Sequence, residues 1–238
     1  MQNHPYLDRK GVQAHGLRVN TCGTVEIGHA QPDAPTQQWS GHGELLIPVV
    51  DINGRFWGAQ SIDDQGRKSF PRGGRTQGGH HMLGNIENGQ PVLIAEGYAT
   101  AATVHEALGL PVVVAFNSGN LPVVAQTFRE KYPTSTLVIA GDNDHTKPIE
   151  KNVGLQKAQE AAQKVAGHLL IPEFEKGSTG TDWNDLAQEK GKEAVRHQLQ
   201  VGISLIKAQA KAVTQQQVSF HLEAKSNLTP KKAQALMR

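Results

Sequence analysis

Residues 91–97 read PVLIAEG and residues 136–144 read TLVIAGDND. Each is a continuous apolar run that ends on carboxylates. The chain around them keeps one rhythm: YATAATVHEALG (98–109), PVVVAF (111–116), LPVVAQTFREKYP (121–133), VGLQKAQEAAQKVAG (153–167) and HLLIPEF (168–174). Continuous apolar strands separated by amphipathic helices predict an α/β domain whose parallel sheet is covered by helices on both faces. In such sheets ligands gather beyond the carboxyl ends of the strands. That rule singles out Glu96, Asn117, Asp142, Asp144 and the segment after Phe174.

Upstream the pattern changes. Residues 43–70, GELLIPVVDINGRFWGAQSIDDQGRKSF, hold short β-rich runs separated by Asn53-Gly54 and by Asp63-Asp64-Gln65-Gly66, which are hairpin turn signals. An antiparallel meander follows, with strands near 44–51, 55–62 and 67–70 and a small helix around 5–16 before them. Its exit is rich in glycine, at Gly73, Gly74, Gly78 and Gly79. Downstream, a helix is expected from about 183 to 200, and the Gln- and Lys-rich remainder is weakly periodic, which predicts marginal helices or partial disorder. Three segments result: 1–88, 89–187 and 188–238.

Composition narrows the function. No run approaches the roughly 18 apolar residues of a membrane span, and the first twenty residues lack the apolar core of a signal peptide. A soluble, cytoplasmic protein is expected. The single cysteine, Cys22, excludes a disulfide framework or a multi-cysteine zinc ribbon within these residues. The net charge of +2 conceals a division. Residues 1–90 carry eight basic and eight acidic side chains, residues 91–187 seven and eleven (net −4), and residues 188–238 nine and three (net +6). Within the neutral part, residues 65–85 contain Arg67, Lys68, Arg72 and Arg75 and no carboxylate, a strip suited to phosphates or to plain solvation.

The acids carry the chemistry. Glu96 ends one strand; Asp142 and Asp144 end another, and in extended chain residues i and i+2 point the same way. Asp182 and Asp185, in TDWND, are placed to add acid at the same edge. A hard divalent cation such as Mg²⁺ takes one or two carboxylates and fills its shell with water and substrate phosphate. Each acid also has a plainer use. Glu96 suits a helix N-terminus, Asp182 a helix N-cap, and Asp142-Asn143-Asp144 a turn.

Glu-Gly after an apolar strand, followed by a strand ending Asp-x-Asp, resembles the TOPRIM domain of primases, topoisomerases and some nucleases. More closely, AEGYATAATV, AFNSGNL, GDNDH and TDWNDL look like the primases of plasmids and phages, over about 91–187. YLDRKGV and LLIPVVDINGRFWGAQSIDDQGRKSFPRGG resemble the basic subdomain that precedes TOPRIM in DnaG-like primase cores. The implied fold is a TOPRIM-type parallel sheet flanked by helices, preceded by a small α+β subdomain with antiparallel strands. By position, the resemblance makes Glu96 a general base or metal-organising residue and Asp142 and Asp144 metal ligands, with Asp182 and Asp185 less specific additions. Lys68, Arg72, Arg75, His80, His81, Asn117 and Lys147 become candidates for holding nucleotide and template.

The implied activity is metal-dependent synthesis of short RNA primers on single-stranded DNA, in plasmid or phage replication or conjugation, with Mg²⁺ or Mn²⁺ as cofactor and NTPs as substrates. Primases of this type commonly carry a zinc-binding domain before the core, and no zinc site is expected here. A helicase, a relaxase or a separate template-recognition protein is the implied partner. Two other readings use the same scaffold: a metal-dependent TOPRIM nuclease, and a noncatalytic single-strand-binding replication adaptor. A topoisomerase fits poorly, since the tyrosines are Tyr6, Tyr98 and Tyr132 and no strand-gate region accompanies them.

Overall fold

The computed structural model describes residues 4–21, 25–27, 37–39, 42–87 and 89–226; Cys22 and the tail from 227 lie outside the described residues. The chain divides into two units, Met1–Gln198 and Leu199–Arg238.

The first unit opens with helix α1 (Pro5–Lys10), capped by His4, whose Nδ1 accepts the Tyr6 N–H at 3.2 Å. Gly11, at φ 61°, returns its N–H to the carbonyls of Asp8 and Leu7 and ends the helix. The helix expected over 5–16 therefore stops at residue 10. Strands β1 (Arg18–Val19), β4 (Leu45–Val50), β5 (Phe56–Ile62) and β6 (Lys68–Ser69) form an antiparallel sheet in that order, while β2 (Val25–Ile27) pairs with β3 (Gln37–Trp39). In β4 the alternate residues Leu45, Ile47 and Val49 are buried, the period-2 pattern of a strand with one core face. The meander expected between 44 and 70 is present. Its two turns are closed by aspartates: Asp51 Oδ1 accepts the N–H groups of Asn53 and Arg55, and Asp63 Oδ1 that of Arg67.

The second sheet has five strands, β7 (His81–Leu83), β8 (Val92–Ala95), β9 (Val112–Val114), β10 (Leu137–Ala140) and β11 (His168–Leu170), in the order β11-β10-β8-β9-β7. Four run parallel. The edge strand β7 runs antiparallel to β9 and comes from upstream of residue 89, so the sheet is mixed rather than wholly parallel. An antiparallel edge on a parallel sheet is a common variant. Helices α2 (Tyr98–Leu108), α3 (Leu121–Lys131) and α4 (Val153–Lys164) connect the parallel strands. Leu121, Val124, Phe128, Ala158 and Ala161 pack on Val92, Ile94, Val113, Leu137 and Ile139. A Cβ on Gly141 would lie 2.8 Å from Ala158 Cβ and 2.9 Å from Leu169 Cδ1, so only glycine lets α4 and β11 close on the end of β10.

Helix α5 (Trp183–Lys190) stops at Gly191, φ 83°, and α6 (Lys192–Ser226) follows. The single helix expected over 183–200 is thus two. From Leu199 onward the second unit is helical through Ser226, where marginal helices or disorder were expected. Its Ala, Gln, Lys and Leu content supplies helix propensity without a strong apolar period. Among the described residues no helix is long and apolar enough to cross a membrane.

Candidate active site

Beyond the carboxyl ends of β8 and β10, within the first unit, lies a cleft of about 340 Å³. Glu96, Asp142 and Asp182 line one side of it, and Arg9, Lys10 and Lys68 another. The acids arrive by three routes. Glu96 leaves β8 just before α2, Asp142 leaves β10 after Gly141, and Asp182 caps α5, its Oδ1 accepting the Asp185 N–H at 2.8 Å. The basic side is built by α1 and by the β5–β6 hairpin, with Arg9 Nη1 donating to the Asp64 carbonyl at 2.6 Å and so fastening one to the other. Lys68 reaches in from β6 until its Nζ is 3.4 Å from where a Gly97 Cβ would stand.

These acids are crowded and dry. Burial first, then the neighbouring charges of Asp182 and Glu96, push the Asp142 carboxyl up to about 8, with Lys68 opposing the rise. Burial likewise raises Glu96, moderated by Lys68 and by the Ser118 backbone. Asp182 is raised by burial and by Asp185. Asp142 Oδ1 is buried with no hydrogen-bond partner. A buried acceptor without a donor costs folding free energy of about 1–3 kcal/mol. Among the described residues no group of three or more His, Cys, Asp or Glu side chains is drawn together as a formed metal-binding cluster. The chemistry of the donors nevertheless suits a hard cation: three mutually repelling carboxylates on one cleft, one with an orphaned oxygen.

The other sequence candidates are distributed differently. Asp144 does not line the cleft. It pairs with Lys147 and accepts from Thr146 Oγ1 at 2.9 Å, contacts that hold its carboxyl below the usual range. The reason is local: β10 ends at Ala140, and four residues beyond it the Asp144 carboxyl is taken up by Lys147 and Thr146. Asp185 stands behind Asp182, its Oδ2 accepting from the N–H and hydroxyl of Thr181, with Lys10 Nζ 3.8 Å from Oδ1. Arg72 and Arg75 are exposed on the loop after β6, Arg75 with its guanidinium 4.0 Å from the Trp57 ring centroid. His80 is buried with its ring edge-on to Phe128, and His81 sits in β7 near Tyr98. Burial pushes both imidazoles down to about 4, so the rings are neutral at physiological pH. Asn117 caps the turn after β9 and is exposed.

Sequence reasoning missed Tyr6, Arg9 and Lys10 as cleft residues. The signal available was a Tyr and two adjacent cations on a short capped helix, in YLDRKGV. It also missed Phe116, which lines the cleft with its backbone at φ 72°, an uncommon conformation for a bulky residue.

With this geometry in place, the comparisons with known proteins are specific. Residues 91–193 match the Toprim domain family. Over 178 residues the chain is 38% identical to DNA primase TraC of Escherichia coli, a match that takes in 73% of this chain and 15% of that protein. The fold is similar to that of the primase fragment of the bacteriophage T7 primase-helicase protein, with a TM-score of 0.55 at 17% identity over 82% of this chain and 73% of that one. It is also similar to the DnaG primase catalytic domain bound to ssDNA, with a TM-score of 0.52 at 14% identity over 82% and 69% of the two chains. Residues 91–193 therefore match the Toprim domain family, and the fold of the chain is similar to that of the T7 and DnaG primase structures.

Proposed function

We propose that the chain is the catalytic core of a DNA primase, a nucleotidyltransferase that joins ribonucleotides into short primers on a single-stranded DNA template. The observation that carries this reading is the cleft in which Glu96, Asp142 and Asp182 face Lys68, Lys10 and Arg9. Acids that repel one another beside a row of cations suit a substrate that is itself a metal–triphosphate. The likeness to TraC and the DnaG fold support the same reading, although the chain spans only 15% of the length of that TraC protein.

Glu96, Asp142 and Asp182 are the residues to hold a divalent cation, Mg²⁺ or Mn²⁺. When bound, that cation acidifies the attacking 3′-hydroxyl and neutralises charge on the α-phosphate and the leaving pyrophosphate. Lys68, Arg9 and Lys10 orient the triphosphate, a positioning and electrostatic contribution. Asp142 gives up a proton held in its dry site and contributes a full negative charge. Asp185 holds Thr181 next to the acid that caps α5 and partly offsets Lys10. Asp144 and Lys147, paired with each other, stand outside the cleft and join it only if that pair opens. Arg72 and Arg75 take the template phosphates, with binding that weakens as salt rises. The template is single-stranded DNA, as in the DnaG structure named above, and a helicase, relaxase or template-recognition protein is the expected companion.

Incorporation of labelled NTPs on mixed single-stranded templates with Mg²⁺ or Mn²⁺ tests this directly, with Asp142→Asn beside the unaltered chain. Short products that Asp142→Asn loses by at least about a hundredfold are expected, the scale of removing a key electrostatic group. Template cleavage in place of synthesis would make the chain a nuclease, and neither activity would favour a binding role.

A further inference from the structure

The turn that follows β9 has two working faces. On one, Phe116, the residue that leads into the turn, lines the cleft that holds Glu96. On the other, Asn120 fastens the glycine-rich loop that carries Arg75. The Asn120 side chain is nearly inaccessible, at 4% exposure. Its Nδ2 donates to the carbonyls of Gly79 (2.9 Å), Thr76 (3.2 Å) and Ala115 (2.8 Å), and its Oδ1 accepts the Gly78 N–H at 2.8 Å. The turn itself does not need these bonds, because Asn117 already caps it through the Asn120 N–H at 3.0 Å. Three of the four Asn120 contacts reach across some forty residues to the loop.

That loop presses on an aromatic support. A Cβ at Gly79 would lie 2.4 Å from Val49 Cγ1 and 3.4 Å from Trp57 Cε3, so the backbone there runs against β4 and the Trp57 ring. The Arg75 guanidinium covers that ring at 4.0 Å. A chain of contacts therefore leads from Asn120 through Gly78 and Gly79 to Trp57 and Arg75, while the same turn follows directly on Phe116 of the cleft.

We propose that Asn120 is a positioning residue for the template: it fixes the 76–79 loop, and through it Arg75 and Trp57, relative to the cleft that Phe116, just before its own turn, lines. The inference rests on the primase reading, since it takes Arg75 as a template contact. Asn120 touches no substrate and acts through the backbone of the loop.

The test is a double-mutant cycle on the full chain, with a fluorescent single-stranded oligodeoxynucleotide as probe and hydrogen exchange of the loop amides as a second readout. Asn120→Ala and Arg75→Ala should each weaken binding about tenfold, and the double variant should be no weaker than the worse single variant within about twofold, because both remove one coupled unit. Exchange should quicken at residues 74–80 in Asn120→Ala and stay slow in β8 and β10. Should Asn120→Ala fail to fold, Asn120→Ser, which keeps one donor, is expected to give the same non-additivity at smaller amplitude. Additive losses, or unchanged affinity in the Asn120 variants where Arg75→Ala weakens binding, would overturn the inference and leave the primase reading standing. Unchanged affinity in Arg75→Ala would overturn the template role itself, and the positioning role with it.

Discussion

Asp142 is held at a cost to folding. Its carboxyl has an ordinary value of 3.8 and is pushed up to about 8 by burial and by Asp182 and Glu96. The folded chain therefore keeps a proton that the unfolded chain releases above pH 4. Stability from this group is full below pH 4, declines as pH rises and is lost above about 8. At pH 7 the penalty is of order 4 kcal/mol, from about 1.4 kcal/mol for each pH unit between the ordinary value and pH 7. Asp142→Asn removes the ionisable group while preserving its shape. In EDTA the variant should melt higher than the unaltered chain at pH 7–8, and the gain should vanish near pH 4. Thermal melts at the two pH values check this; a variant that melts lower at pH 8 would mean that Asp142 has protein partners in the folded state.

Strand β7 sets a second pH limit, of opposite sign. His80 and His81 enter the fold neutral, with one ring nitrogen of each buried and unpaired, His80 Nδ1 and His81 Nε2. Their ordinary value of 6.5 falls to about 4, burial being the largest cause for both. Stability from these groups is complete above pH 6.5 and is lost as pH falls toward 4, by roughly 3 kcal/mol for each histidine. Measured in the Asp142→Asn background, where the opposing carboxyl is gone, the melting temperature should drop between pH 6.5 and 4.5, and His80→Gln should flatten the drop. A pH-independent melt over that range would show that the imidazoles are protonated without penalty. His80 exchanges backbone hydrogen bonds with Val50, at 2.9 Å in each direction, and β7 pairs with β9, so one short element ties the antiparallel sheet to the five-stranded one.

Across the whole chain, what could be read from sequence follows from what sequence encodes locally. The parallel strands were legible because β8, β9 and β10 are unbroken apolar runs, buried along their whole length. Strand β7 was not: three residues after a glycine-rich loop carry no pattern, and pairing with β9 decides their state. The C-terminal helix was underestimated because its composition favours helix while its apolar period is weak. The expected convergence was of Glu96, Asp142 and Asp144, with Asp182 and Asp185 adding acid at the same edge; the cleft takes in Glu96, Asp142 and Asp182, and Asp144 lies outside it, four residues past the end of β10. Tyr6, Arg9 and Lys10 come to the cleft from nearly a hundred residues before Glu96 in the chain, and no local pattern reports that adjacency. The proposed function rests on acids from three separate elements holding one cation. Titration of Mn²⁺ or Mg²⁺ into the chain at pH 7, repeated in buffers of different ionisation enthalpy, counts the protons released on binding. A shared site releases about one proton, largely from Asp142, and Asp142→Asn abolishes both the release and the tight binding. Binding that releases no proton, or that survives Asp142→Asn undiminished, would place the cation elsewhere.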